Sequence, residues 1–139
     1  NAASVHMRMG EYGKAESLVD KAIVLFESMQ REDSHLSSAW TMRGTILYMQ
    51  ERFEAARDAF QRALALNLRY YGRNVDYARI SQSLARTSQK LGDNAAAIDS
   101  QRAAVETLSN LCGADDDRVE AYRAYYQSLV EEKASDNHE

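Results

Sequence analysis

Histidine, cysteine and closely spaced carboxylates are the side chains from which a hydrolytic, redox or metal centre would be built. This chain offers few of them in a usable arrangement. His6, His35 and His138 lie far apart, with no second histidine one helical turn away and no companion cysteine, so zinc ligation is not expected. His6 reads as an interior residue of a first helix and His35 as a linker residue. Cys112 is a single thiol near a helix end with no obvious base to ionise it, and reads as a small linker residue. Asp115, Asp116 and Asp117 lack the alternating spacing and terminal glutamate that wrap calcium; three acids at a helix start instead complement the positive end of the helix dipole. No glycine-rich phosphate loop, G-x-S-x-G elbow or H-E-x-x-H helix occurs. The expectation is a chain with no catalytic residue, no metal and no cofactor.

Composition narrows the class further. The 139 residues suit one domain, and 45% apolar with 27% charged residues is ordinary for a folded globular chain. A net charge of −4 supplies no global basic field, which argues against direct nucleic-acid binding. No apolar run is long enough for a membrane span, and no signal peptide opens the chain, so no membrane partner is expected. One cysteine cannot form an internal disulfide, and the reducing cytosol is the natural setting, giving a cytoplasmic expectation. The start at Asn1-Ala2 points to a segment of a longer parent.

The elements come from an internal repeat. With no proline, six glycines and abundant Ala, Leu, Gln, Glu and Arg, helix is favoured everywhere but at a few turns. Gly10-Glu11-Tyr12-Gly13-Lys14-Ala15 aligns with Glu51-Arg52-Phe53-Glu54-Ala55-Ala56 and with Gly92-Asp93-Asn94-Ala95-Ala96-Ala97, a period of 41 since 56 − 15 = 97 − 56 = 41. Ala22, Ala63 and Ala104 recur in the same register, followed by Ile23, Leu64 and Val105, and Ala3, Gly44 and Ala85 form a third column. Small residues in fixed columns let two helices of a hairpin cross closely, the signature of stacked helical units. Helices are predicted at about 2–9, 12–30, 36–50, 53–70, 75–91, 94–111 and 117–133. Gly72 and Gly113 should end helices, and Ser37, Asn74 and Asp115 should be caps or early-turn residues. Tyr126 stands in the column of Ala3, Gly44 and Ala85, so the helix over 117–133 should close the array as a cap, followed by a polar, frayed tail over 134–139.

Trp40-x2-Arg43-Gly44-x2-Leu47, then Ala56-x3-Phe60 and Ala63-Leu64, resembles the tetratricopeptide repeat pattern. It departs from that pattern at Arg43, Leu47 and Leu68, and in the third repeat at Ser81 and Gln101. Leu68-x3-Gly72-x3-Asp76-Tyr77-Ala78-x5-Leu84-Ala85 resembles the linker and helix start of the long repeats of kinesin light chains. The resemblance implies an all-α right-handed superhelix of about three hairpins plus a capping helix over residues 1–133.

It also implies a concave face lined by the first helix of each hairpin. Its groove-facing positions correspond to Ser38, Thr41, Thr45, Tyr48 and Met49; to Arg79, Gln82, Arg86, Gln89 and Lys90; and to Glu120, Arg123, Gln127 and Glu131. Of these, Thr41, Thr45, Tyr48, Met49, Arg79, Gln82, Arg86, Lys90, Arg123 and Gln127 are the candidate partner-binding set. Arg79, Arg86, Lys90 and Arg123 make this face basic in an acidic chain, which fits either a solvated polar surface or a groove for a protein or peptide with acidic segments. The Lys/Asn carboxylate clamp of chaperone-binding members is absent: Thr41, Thr45, Gln82 and Arg86 occupy the matching positions. The functional expectation is a protein-interaction scaffold. The competing reading is a sensor or regulatory module of a signalling or transcription regulator, and a third is an accessory domain fused to an enzyme.

Overall fold

The structure, a computed structural model, describes residues 10–30 and 34–136. The predicted first helix, His6 and His138 lie outside them. All regular structure among the described residues is helical, arranged as helix hairpins: α1 (Tyr12–Ser28), α2 (Ser34–Met49), α3 (Phe53–Tyr71), α4 (Val75–Lys90), α5 (Asn94–Cys112) and α6 (Asp117–Asp136). Two compact units divide the chain between Tyr70 and Tyr71.

In the first unit, Ala15, Val19 and Ile23 of α1 meet Leu36 and Ile46 of α2 in one apolar cluster, flanked by Phe26, Trp40 and Leu66. The spacing of four along α1 gives that helix one buried stripe. Across α2 and α3 the crossing is close because Gly44 carries no side chain. A Cβ there would lie 2.7 Å from the Phe60 ring, which is 2% exposed. Ser37, buried, donates its hydroxyl to the Ala63 carbonyl at 3.1 Å. Ser37, expected as a cap or early-turn residue, is the early-turn residue of a helix that begins at Ser34, and it bolts α2 to α3.

The turn from α2 to α3 ends the helix with paired bonds, Glu51 N–H to the Tyr48 carbonyl at 3.0 Å and Arg52 N–H to the Leu47 carbonyl at 2.9 Å. The turn from α4 to α5 repeats this with Gly92 N–H to Gln89 O and Asp93 N–H to Ser88 O. Gly92 has φ 78, and Glu51, in the same column, is forced to φ 60. That left-handed conformation is unfavourable for any residue with a Cβ.

In the second unit, Ala78 of α4, Leu108 of α5 and Val119 of α6 form one cluster, and Ala97, Ile98 and Leu129 form another against Tyr125 and Tyr126. The columns of Gly44 and Phe60 here hold Ala85 and Gln101, both fully buried. Gln101 Nε2 donates to the Tyr122 carbonyl at 3.0 Å, tying α5 to α6 through a polar side chain where the other repeat uses an aromatic ring. Asn74 caps α4, its side chain accepting from Tyr77 N–H at 2.9 Å. At α6 the capping acid is Asp116 and not Asp115: its carboxylate accepts from Arg118 N–H at 2.8 Å. Gly72 and Gly113, just past α3 and α5, both have positive φ. The last helix reaches Asp136, three residues beyond the predicted end, so Ala134, Ser135 and Asp136 are helical.

Candidate binding face

Most of the candidate residues lie on the first helix of a hairpin, and the two units use them differently. On α2, Thr41 and Thr45 are half-buried and return their hydroxyls to the Ser37 and Thr41 carbonyls of the same helix, at 2.9 and 3.0 Å. Tyr48 packs edge-on against Phe53, with ring centroids 5.2 Å apart. Met49 is 52% exposed. Three arginines of this unit face acids on α1: Arg43 meets Asp20, Arg52 meets Glu16 at 3.1 Å, and Arg62 meets Glu27 at 3.8 Å while also covering the Trp40 ring. Their charge is therefore largely matched within the fold.

The second unit leaves charge unmatched. Arg79 pairs with Asp76 one turn away, and Arg118 pairs with Asp116 at 3.1 Å. Arg86, Lys90 and Arg123 have no carboxylate at ion-pair distance among the described residues. Arg86 instead lies over the ring of Tyr125, with its guanidinium carbon 4.9 Å from the centroid. The Tyr125 hydroxyl donates to Gln89 Oε1 at 2.7 Å, and Gln89 Nε2 donates to Glu132 at 2.8 Å. These contacts join α4 to α6. Tyr122, one turn before Tyr125, is half-buried; burial pushes its hydroxyl up from the usual tyrosine range, against the opposing influence of Arg79, Arg86 and Arg118.

The structure brings Arg86 of the candidate set together with Gln89, one of the wider groove-facing positions, at Tyr125, and Arg79 acts on Tyr122. Gln82 is half-buried and Lys90 exposed on α4, whereas Arg123 is half-buried and Gln127 exposed on α6. Tyr125, Tyr122 and Glu132 were not selected. Tyr125 stands in the column of the buried Leu84, and its spacing of three from Tyr122 places both on one helical face.

The remaining chemistry-bearing side chains serve the fold. His35, expected in a linker, lies in α2 and stacks its ring on Phe26 with centroids 6.0 Å apart. Cys112 ends α5, half-buried, with its sulfur 3.1 Å from an Arg118 guanidinium nitrogen. Among the described residues no group of three or more His, Cys, Asp or Glu side chains could hold a metal ion. No helix among them is long and apolar enough to cross a membrane. An open pocket of about 500 Å³ in the first unit is lined by residues including Asp20, Trp40, Arg43, Asp58 and Arg62, with no nucleophile beside a base.

Comparison with known proteins agrees with this architecture. The family model described as tetratricopeptide repeat matches residues 1–66 and again 37–110. The chain belongs to the tetratricopeptide repeat family. No curated protein sequence matches it significantly. Among solved structures, this tetratricopeptide chain is similar to BtubC (BKLC) from P. vanneervenii, with a TM-score of 0.84 and 21% identity over 94% of this chain and 52% of that one. It is also similar to a Podosopora anserina kinesin light chain candidate with nearly identical TPR-like repeats, with a TM-score of 0.78 and 15% identity over 94% of this chain and 66% of the other. MamA gives a TM-score of 0.62 at 22% identity, covering 96% of this chain and 77% of that one. At these identities the likeness is one of fold, and the chain spans about half the length of the first. The tetratricopeptide fold is consistent with a protein-interaction scaffold.

Proposed function

We propose that this tetratricopeptide domain is a cytoplasmic interaction scaffold that recruits a protein or peptide partner bearing acidic residues, through the first helices of its hairpins. One observation carries the reading: Arg86 lies over Tyr125 with no carboxylate at ion-pair distance among the described residues, while Arg79 and Arg118 nearby are each paired. A guanidinium left without a carboxylate keeps its donors available for one supplied from outside. Lys90 and Arg123 add positive charge on the same two helices. Within the second unit Gln82 and Gln127 would serve as hydrogen-bonding positions; in the first, Thr41, Thr45, Tyr48 and Met49 offer a polar and apolar surface of their own.

The test is the double substitution Arg86→Ala with Arg123→Ala, compared with the parent by quantitative pull-down from the native proteome and by thermal melting. Exposed charges contribute under about 1 kcal/mol to folding, so the melt should be nearly unchanged while acidic partners are lost. Retention of every partner by a variant that melts like the parent would refute this assignment.

A further inference from the structure

We infer that Gln89, Tyr125 and Glu132 are positioning residues that hold the Arg86 guanidinium ready for a single carboxylate; the inference rests on the partner-binding function proposed above. An arginine side chain has many rotamers, and freezing them on binding opposes association. Here the restriction is already in place before any partner arrives. Glu132 accepts hydrogen bonds only, so the Gln89 amide must turn its NH2 toward it, at 2.8 Å. That choice aims Gln89 Oε1 at Tyr125, whose hydroxyl donates to it at 2.7 Å. The phenol is thereby fixed from α4, and its ring supports the Arg86 guanidinium, 4.9 Å from the centroid.

At Tyr125 the arrangement prepares one guanidinium, since Arg79 and Arg118, the other arginines acting on the neighbouring Tyr122, are held by Asp76 and Asp116. One prepared guanidinium suits the planar, bidentate geometry of a carboxylate. A phosphate group, with more charge to neutralise, is less well served by it.

Nitrogen-15 NMR of the whole 139-residue chain tests this at the Arg86 Nε–H, assigned through Arg86→Lys. The probes are an alanine-based peptide carrying one aspartate, its asparagine counterpart, and inorganic phosphate. In the parent, the Arg86 Nε–H is ordered before any probe is added and shifts saturably with the aspartate peptide only. Gln89→Leu and Glu132→Leu each make it mobile and weaken the aspartate peptide by about 2- to 10-fold, in variants that remain folded at the assay temperature. A mobile Arg86 in the parent overturns the inference whatever binds. So do variants whose Arg86 order and affinity equal the parent's, even if Arg86→Ala abolishes binding and so upholds the proposed function. An ordered Arg86 that responds to no probe, or more strongly to phosphate, overturns the carboxylate as its ligand; the pull-down decides the interaction function separately.

Discussion

Substituting Gly44 by alanine sets two opposed effects against each other in one helix. Alanine is favoured over glycine inside a helix by roughly 1 kcal/mol, so on propensity alone the variant would be more stable. The new methyl, however, would lie 2.7 Å from two Phe60 ring carbons and 2.9 Å from a third. Phe60 is 2% exposed, so its ring has no route into solvent, and the backbones of α2 and α3 must separate. Overpacking of this kind costs about 1–3 kcal/mol. The crossing should win, leaving a net loss of about 1 kcal/mol and a melting temperature lower by roughly 3–6 °C. Circular dichroism melts of Gly44→Ala, Phe60→Leu and the double variant measure it, because the smaller side chain relieves the clash and the two losses should not add. A Gly44→Ala protein that melts above the parent, or strictly additive losses, would refute the close-crossing argument.

Three further outcomes follow from the same geometry. Ala56 and Ala97, both fully buried, should each lose about 1–3 kcal/mol on replacement by leucine, read as a lower melting midpoint; loss at only one would show that the third repeat is misaligned. Glu51→Gly should stabilise the protein by about 1 kcal/mol, because φ 60 then suits the residue; an unchanged denaturation midpoint would contradict this. The Arg118 side chain and backbone N–H hold the Asp116 carboxyl below the usual carboxylate range. Its contribution to the start of α6 is thus complete above that range and is lost as pH falls through the lowered value. A carboxyl carbon titration placing Asp116 at or above ordinary aspartates would overturn this cap.

The period of 41 made the hairpins readable because it repeats a steric requirement: Ala15, Ala56 and Ala97 share a column, and all are fully buried. Turn chemistry was legible where a glycine or asparagine performs it, as at Gly72, Gly113 and Asn74. It was hidden at Glu51, since no residue type advertises a left-handed backbone imposed by the helices on either side. For Ser37 the early-turn position was legible but its buried bond to the Ala63 carbonyl was not, because serine favours both caps and buried hydrogen bonds. Along the binding face, helical spacing put Arg79, Arg86 and Lys90 on one side of α4, yet spacing could not reveal which cations are neutralised. Asp76 satisfies Arg79 locally, whereas Tyr125 and Glu132, more than 35 residues from Arg86 in sequence, decide the state of Arg86 through Gln89. Such long-range polar pairing leaves no periodic trace.

The most direct measurement of the central claim is a double-mutant cycle across the interface. Once a partner segment is in hand, titration calorimetry compares the parent and Arg86→Ala, each against the native segment and against one whose acidic residue is replaced by its amide. A recognised carboxylate predicts that either change alone weakens binding and that the second change adds little, a coupling of about 1–3 kcal/mol. Losses that simply add, or an Arg86→Ala domain that binds the native segment as tightly as the parent, would contradict the assignment of this face.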